Sequence, residues 1–206
     1  PYGTNGITQK VKTAAPGVDY MTNQAEWLAV QNGAGRAPAA LGARRYMTDG
    51  RDLSQWVHVD VLWQAYFMAC RVLDSIGTPV NPTNPYNNSQ TQEGFGTFGA
   101  PWFKTLLVEA ATRALKAVWY QKWYVHLRLR PEAFAGHVHL VKTGQRGYDI
   151  HGEALNSDAV ARVFSNNGSY FLPMAFPEGS PIHPAYGAGH ATVAGACVSV
   201  IKALYD

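Results

Sequence analysis

Apolar residues recur at intervals of three and four positions through residues 52–76. This spacing places them on one side of an α-helix, so the pattern predicts a single helix over that range. Gly77 and Pro79 follow directly, and both residue types stop a helix. The first half of the chain shows almost no strict alternation of apolar and polar positions, which would be typical of strands. We therefore expect a mainly α fold.

A longer, central helix is predicted over residues 101–130. Proline is well tolerated in the first turn of a helix, and the residues that follow Pro101 are good helix formers with no internal Gly or Pro. Pro131 comes next and prevents the helix from continuing. A helix of this length must bury one side, so we expect its aromatic cluster to lie mostly in the core. That cluster consists of Trp119, Tyr120, Trp123 and Tyr124.

The rest of the pattern predicts shorter elements and loops. Residues 78–99 are rich in Asn, Pro, Thr, Gln and Gly, which indicates a long surface loop. Residues 132–156 are mixed, and residues 138–141 are expected to form a short strand. No internal repeat or linker is evident, so residues 1–206 are expected to form a single domain. Two helices and the loop between them complete the chain: residues 158–164, a Pro-rich loop at 172–187, and residues 189–204.

Composition and charge narrow the class of protein. The 206 residues are 47% hydrophobic and 12% aromatic, which excludes a disordered polymer and allows one or at most two domains with a real core. Charged residues interrupt the most apolar windows, so we expect no membrane span. A formal net charge of +3 is too small for a nucleic-acid coat, and we expect no nucleic-acid partner.

Cysteine and histidine positions give no metal-binding pattern. Cys70 and Cys197 lie in apolar helical patterns, which predicts buried free thiols. His137 and His139 form only a pair, without an adjacent carboxylate. We therefore expect no set of metal ligands within this chain.

The predicted central helix carries the first group of candidate site residues. Five basic residues and no acidic residue occur between Arg113 and Arg130, which favours a bound anion or an acidic partner. Two cations, an imidazole and an indole on one stripe suggest an inward-facing site for a multiply charged oxyanion. A rim of Lys and Arg side chains covering apolar surface is the simpler interpretation of this helix alone. At about 100° per residue, the stripe consists of Trp119, Lys122, His126 and Arg130.

A second group of candidates lies in residues 180–192, a loop rich in Pro and Gly that leads directly into the final helix. Backbone N–H groups at that helix start, around Gly189 and His190, can bind an oxyanion with help from the helix dipole. His190 is placed to hydrogen-bond an anion oxygen and to exchange protons near neutral pH. The alternative is a histidine that only caps its own helix.

Together the two groups form a recognisable pattern. The chain contains AVWYQK at residues 117–122, VHLRLRPEA at 125–133 and GSPIHPAYGAGHAT at 179–192. These motifs, in this order, resemble those of the vanadium-dependent haloperoxidases, and most of all the bromoperoxidases of red algae and cyanobacteria. Further similarity at residues 51–53, 92–95 and 194–197 extends the resemblance over most of the chain.

The resemblance implies a role for each motif residue. Lys122 and Arg130 match the side chains that contact vanadate oxygens. Gly189 matches a backbone donor to vanadate, and His190 matches the acid–base histidine. His183, seven residues before His190, matches an additional active-site histidine typical of bromoperoxidases. We expect the central and final helices to pack together and to bring Lys122, Arg130 and His190 around one cavity.

The activity implied by the resemblance is the oxidation of a halide by hydrogen peroxide, with vanadate as the cofactor. Its product, hypohalous acid, halogenates organic acceptors. Bromide is the expected halide because His183 matches the bromoperoxidases. Trp119, one turn before Lys122, lies where family members that oxidise chloride often carry Trp, whereas red-algal bromoperoxidases tend toward Arg. Trp119 is therefore a candidate for the halide side of the site, unless it only packs in the core.

Two departures from the family pattern stand out. Ala188 occupies a position where many family members have Ser, which removes one hydroxyl donor and weakens anion binding. The family's third motif, an Arg followed by the His that bonds vanadium, is expected downstream, yet no histidine follows His190. We therefore expect a partial chain, or a second chain that supplies the missing Arg and His. This chain alone is expected to hold vanadate poorly.

Two other functions stay open from the sequence. An acid phosphatase uses the same oxyanion cradle for phosphate, but its usual Lys–Arg spacing is one residue shorter than the seven residues between Lys122 and Arg130. A non-catalytic fragment that lacks the vanadium ligand is the second. The resemblance also implies a homo-oligomer and a secreted, cell-wall or periplasmic location, whereas the sequence itself leaves the compartment unknown.

Overall fold

The computed structural model describes residue 6, residues 8–34 and residues 37–206. These residues are mainly α-helical, which confirms the predicted fold class. The elements in chain order are β1 (Val11–Ala14), α1 (Gln24–Gln31), β2 (Leu41–Arg45), α2 (Gly50–Val59), α3 (Gln64–Ser75), α4 (Ala100–Tyr120), a π-helix (Gln121–His126), α5 (Pro131–Lys142), α6 (Gly152–Leu155), α7 (Asp158–Asn167) and α8 (Gly189–Leu204).

The chain divides into two compact units. Val59–His126 and Tyr186–Asp206 belong to the first, the helical unit, which contains α3, α4, the π-helix and α8. Gln9–His58 and Leu127–Ala185 form the second, the mixed unit, which contains both strands and helices α1, α5, α6 and α7.

The core of the helical unit forms where α4 packs against α8, as the sequence predicts. Leu107 of α4 and Val193 of α8 are both fully buried in one apolar cluster. Cys70 and Cys197 lie in the same cluster and are free thiols, as predicted. Burial and the nearby Cys70 raise the pKa of the Cys197 thiol to about 11, so it stays protonated at neutral pH. The cluster stabilises the packing by removing apolar surface from water.

One carboxylate links the end of α8 to α3 and α4. The Tyr205 hydroxyl donates to Asp74 over 2.8 Å, and the Lys104 ammonium forms an ion pair with the same carboxylate. Burial and the Asp74 hydrogen bond raise the pKa of Tyr205 far above its ordinary value. The phenol therefore stays a hydrogen-bond donor and holds the last residues of the helical unit in place.

The predicted single helix over residues 52–76 is wrong, because the structure contains two helices there. α2 ends at Val59, and α3 begins at Gln64. The intervening residues turn, with the Gln64 N–H donating to the Val61 carbonyl over 2.8 Å. A break of this length is about one helical turn, so the apolar period continues in phase across it. Periodicity alone therefore does not reveal the interruption, which leaves Asp60 outside both helices.

The predicted helix over residues 101–130 is also interrupted. α4 ends at Tyr120, and the chain continues as a π-helix to His126. Leu127 then adopts a φ of 46°, in the left-handed region. The backbone of Arg130 is extended, with a φ of −67° and a ψ of 151°, and Pro131 begins α5. Proline suits this first position because its ring presets φ and its missing N–H is not needed there.

The predicted strand at residues 138–141 is wrong, since these residues lie in α5. A short apolar run does not distinguish a strand from a buried helix by periodicity. Here α5 is held by Trp27, whose indole N–H donates to the Glu132 carbonyl oxygen over 3.0 Å. Gly136 permits this approach, because a Cβ at that position would overlap the Trp27 ring.

The mixed unit combines helices with a small two-stranded sheet. β1 and β2 are antiparallel, with Val11 opposite Arg45, and the register shifts between Lys12 and Ala14. A separate apolar cluster forms the core of this unit. Its buried members are Met21, Trp27, Leu140 and Phe171.

Helices α7 and α8 confirm the predictions for residues 158–164 and 189–204, with α7 three residues longer than predicted. The prediction for the aromatic cluster at residues 119–124 is wrong. Its side chains face outward and are exposed by 42% at Trp123 up to 77% at Tyr124. Across the part of the chain that the structure describes, no helix has the length and apolarity needed to cross a membrane.

Candidate oxyanion site

Lys122 is the most unusual side chain of the helical unit. It lies in the π-helix and is only 1% exposed, although its neighbours Gln121 and Trp123 face solvent. Burying an ammonium group is costly unless it interacts with polar or charged groups. π-helical turns are rare and are frequent at functional sites. The local structure therefore directs a cation inward at the position that the sequence assigns to anion binding.

The loop that leads into α8 packs against the end of α4 and the π-helix. A Cβ built on Gly187 would lie 3.5 Å from Val118, and one on Gly189 would lie 3.9 Å from Leu115. The rings of Tyr186 and His126 meet edge to face at 4.6 Å. These contacts flank Lys122 in sequence, so Lys122 and the start of α8 belong to adjoining elements of one unit.

The start of α8 has features of an anion-binding helix terminus. Its N-cap residue, Ala188, makes no side-chain hydrogen bond to the first turn. The N–H groups of the first turn, which begins with Gly189 and His190, thus receive no side-chain cap from position 188. A helix N-terminus also carries partial positive charge, which favours a bound oxyanion.

His190 is hydrogen-bonded to a carboxylate that the sequence analysis missed. Its Nε2 lies 3.0 Å from Oδ1 and 3.3 Å from Oδ2 of Asp60. The Asp60 side chain is 4% exposed, whereas that of His190 is 42% exposed. An ionised carboxylate only accepts hydrogen bonds, so Nε2 carries a proton and Nδ1 is the ring nitrogen left for exchange. The sequence offered one signal: Asp60 is an acidic residue among the apolar positions of the helix predicted over residues 52–76.

Arg130 belongs to the mixed unit, where it is the N-cap residue of α5 and makes no side-chain hydrogen bond to the first turn. Its Nε atom is buried and has no hydrogen-bond partner among the described residues. A buried donor without an acceptor is expensive and rare in proteins. The guanidinium therefore offers an unused donor of the kind that an oxyanion accepts from.

His183 lies in the loop before α8 and is partly buried. Its backbone N–H donates to the Pro181 carbonyl over 2.8 Å, and its Nδ1 is 3.2 Å from the Pro184 carbonyl oxygen. The same loop is attached to the segment around Arg130, because the Ala185 N–H donates to the Arg128 carbonyl over 3.0 Å. The structure thus brings the loop of His183 and the segment of Arg130 together within the mixed unit.

The expected single stripe of Trp119, Lys122, His126 and Arg130 is wrong. The interval of 100° per residue ends with α4, and Arg130 lies beyond the π-helix in extended backbone. Lys122 is buried while Trp119 is 43% exposed, so these two side chains do not share an environment. Lys122, Trp119, Gly189 and His190 lie in the helical unit, and Arg130 and His183 lie in the mixed unit.

The described residues contain no group of three or more His, Cys, Asp or Glu side chains that could hold a metal ion. The chemistry that the site offers is cationic and acid–base instead. The helical unit offers a buried ammonium, backbone N–H groups and a carboxylate-bound imidazole, and the mixed unit separately offers a guanidinium nitrogen with no acceptor among the described residues. These groups suit a multiply charged oxyanion.

Comparison with known proteins supports this interpretation. No family model matches the chain. A vanadium-dependent bromoperoxidase from Corallina pilulifera is 41% identical in an alignment that covers 100% of this chain and 38% of that protein. This chain is homologous to vanadium-dependent bromoperoxidases. The predicted resemblance to the vanadium-dependent haloperoxidases is therefore confirmed.

Further relatives agree. A vanadium-dependent bromoperoxidase from Ascophyllum nodosum is 35% identical over 96% of this chain. The solved homohexameric structure of a second vanadate-dependent bromoperoxidase from Ascophyllum nodosum superposes with a TM-score of 0.82 at 32% identity, covering 95% of this chain and 34% of that one. The haloperoxidase-like chain thus spans little more than a third of the length of these relatives.

Proposed function

We propose that the protein oxidises a halide, bromide in the first place, with hydrogen peroxide and a vanadate cofactor. The observation that carries the proposal is the buried ammonium of Lys122 at the position that matches a vanadate contact. The names of the relatives support vanadate as the cofactor and bromide as the halide. Because the chain spans 38% of the Corallina relative, the activity of the whole protein is inferred from this similarity.

The residues of this chain fit vanadate. The buried Nε of Arg130 has no acceptor among the described residues, and the first turn of α8 has no side-chain cap. At an effective dielectric constant of 20, a cation about 4 Å from a unit negative charge is worth about 4 kcal/mol before desolvation. By the motif match, Lys122 and the Gly189 N–H would hold vanadate within the helical unit, and Arg130 of the mixed unit is proposed as a further vanadate contact. When bound, vanadate supplies the centre that activates hydrogen peroxide toward a halide.

The protein side of the mechanism follows from the helical unit. Lys122 provides positive charge from a position shielded from water. Asp60 fixes the His190 ring through Nε2. His190 then accepts and returns protons at Nδ1, which general acid–base catalysis requires. Following the motif match, we assign Trp119 to the side of the site where the halide binds. We assign His183 as a second active-site imidazole for the same reaction.

A two-part assay tests the proposal. The full-length protein is incubated with orthovanadate, bromide and hydrogen peroxide, and halogenation of a phenolic acceptor is followed. His190→Ala should remove most turnover while the protein stays folded, with a lower urea unfolding midpoint because the buried Asp60 carboxylate loses a partner. His151→Ala, at an exposed position of the mixed unit, should retain turnover. Full activity in His190→Ala contradicts the assigned role. The second assay adds a phosphate ester without vanadate, and hydrolysis of the ester would favour an acid phosphatase. Inactivity in both assays would favour a non-catalytic protein.

The partners follow from the same comparison. We propose hydrogen peroxide, a halide and an organic acceptor as the small-molecule partners. The Ascophyllum structure is homohexameric, which supports a homo-oligomer here as well. The vanadium-bonding His and its companion Arg are proposed to come from the part of the protein that this chain does not span, or from a second chain. A secreted, cell-wall or periplasmic location remains a proposal from family resemblance.

A further inference from the structure

The loop that carries His183 is attached at both ends to the segment around Arg130. At its start, the Ser180 N–H donates to Oε1 of Glu132 over 2.8 Å, and the Ser180 hydroxyl donates to Oε2 over 2.7 Å. At its end, the Ala185 N–H donates to the Arg128 carbonyl over 3.0 Å. The two attachment points lie two residues before and two residues after Arg130.

Glu132 is itself held rigidly. Its side chain is 4% exposed, and it lies in the first turn of α5. Its backbone carbonyl accepts the Trp27 indole N–H over 3.0 Å, which fixes the start of the helix to the core of the mixed unit. Both carboxylate oxygens are occupied by one residue that lies 48 positions downstream. Such a two-point hydrogen bond restrains orientation as well as distance.

The backbone before Ser180 is shaped for this contact. Gly179 has a φ of 75°, in the left-handed region that favours glycine. A Cβ at Gly179 would overlap Met21 and would lie 3.1 Å from Oε1 of Glu132. A larger residue at position 179 would thus strain the backbone, displace the Met21 side chain and crowd Glu132. The conformation of the loop and the position of the carboxylate depend on each other.

We propose that Glu132 is a positioning residue that holds His183 and Arg130 in one preorganised arrangement within the mixed unit. The inference rests on the proposed function. Glu132 acts by fixing the Ser180–Ala185 loop relative to the Arg130 backbone and itself contacts neither substrate nor cofactor. Catalytic groups need such support, because small displacements from the productive geometry reduce rates strongly.

The test compares Glu132→Gln with Glu153→Gln, which changes an exposed carboxylate in the first turn of α6. The glutamine oxygen still accepts from the Ser180 N–H, but its NH2 group can only donate to the Ser180 hydroxyl, so two hydrogen bonds to a charged carboxylate become weaker neutral ones. We expect amide hydrogen exchange in residues 180–185 to become about 10-fold faster, while exchange in α4 and α8 is unchanged. The NMR signals of the His183 ring should shift or broaden, and those of His151 should not.

Activity separates positioning from stability. In the full-length protein with saturating orthovanadate, Glu132→Gln should lower bromide turnover about 10-fold, and the control should not. Ser180→Ala removes only the hydroxyl bond and should lower turnover less than Glu132→Gln does. Ser180→Thr keeps a hydroxyl and should have the turnover of the wild type. These serine variants also decide the question if Glu132→Gln fails to fold. Unchanged exchange and ring signals, or wild-type turnover in Glu132→Gln, would overturn the proposal.

The same experiments distinguish this inference from the proposed function. If the wild-type protein does not oxidise bromide, the proposed function fails. Hydrogen exchange and the His183 ring signals then decide by themselves whether Glu132 holds the loop, because neither measurement requires catalysis.

Discussion

Nε2 of His190 lies 3.0 Å from Oδ1 of Asp60, so the candidate acid–base histidine is held by a buried carboxylate from the turn between α2 and α3. The two residues are 130 positions apart in sequence. The arrangement leaves Nδ1 for proton exchange and keeps the ring in one orientation. It links the break between two helices to the chemistry proposed for the site.

Asp60→Asn should lower bromide turnover by about 10-fold or more, because a neutral amide stabilises a protonated imidazole less and can favour the other ring tautomer. Vanadate affinity should change less than turnover, since the Asp60 side chain acts on the His190 ring. The measurement is steady-state turnover at saturating orthovanadate, with Asp149→Asn as an exposed control. Equal turnover in both variants would contradict the role of Asp60.

Lys122→Met should weaken vanadate binding by about 10- to 100-fold, since a hydrogen bond to a charged group contributes about 1.5–3 kcal/mol. Methionine fills a similar volume, and urea unfolding checks that the variant is folded. Equilibrium dialysis against orthovanadate measures the affinity. Lys116→Met is the matched control, because Lys116 is an exposed lysine of α4. Unchanged affinity in Lys122→Met would remove Lys122 from the anion site.

Trp119→Arg should lower the ratio of chloride to bromide turnover severalfold. The prediction follows the motif match: an indole beside the halide would exclude water, which favours the halide that is harder to oxidise. Trp123→Arg is the control, because Trp123 is 42% exposed and Trp119 is 43% exposed. Turnover with each halide is measured in the full-length protein. If the ratio is the same in both variants, Trp119 contributes packing only.

His139 should make the mixed unit less stable in acid. Burial lowers the pKa of His139, whose ring stacks on Phe171 at 4.1 Å and accepts the Tyr170 N–H at Nδ1. The folded state therefore keeps the ring neutral, while the unfolded chain takes up a proton below pH 6.5, the ordinary value. Stability from this group is present above pH 6.5 and is lost as the pH falls below it.

His139→Gln should reduce that acid sensitivity, because glutamine does not titrate and can still accept a hydrogen bond. Urea unfolding at pH 7.5 and at about pH 5.5 gives the change in midpoint for each protein. The decrease should be smaller in His139→Gln than in the wild type, and His151→Gln, at an exposed position, should behave as the wild type. An identical decrease in all three proteins would show that His139 is not the group responsible.

The sequence by itself determined the mainly helical class, the two C-terminal helices and the candidate residues of the two motifs. Gly189–Leu204 has the predicted bounds because its start and its apolar positions are local features of the chain. Lys122, Arg130, His183 and His190 were identified because the motifs keep their order and spacing. Helix bounds and motifs can be identified from residues that are close in sequence, without knowing which distant residues are in contact.

Only the tertiary structure decided where the helices break and which groups support the site. The π-helix that buries Lys122 is invisible to a 3.6-residue period, since the sequence around it contains good helix formers. Asp60 and Glu132 act through partners 130 and 48 positions away, and no local signal links them to His190 or Ser180. Long-range hydrogen bonds are selected by packing of the whole unit, so they become apparent only when the chain is folded.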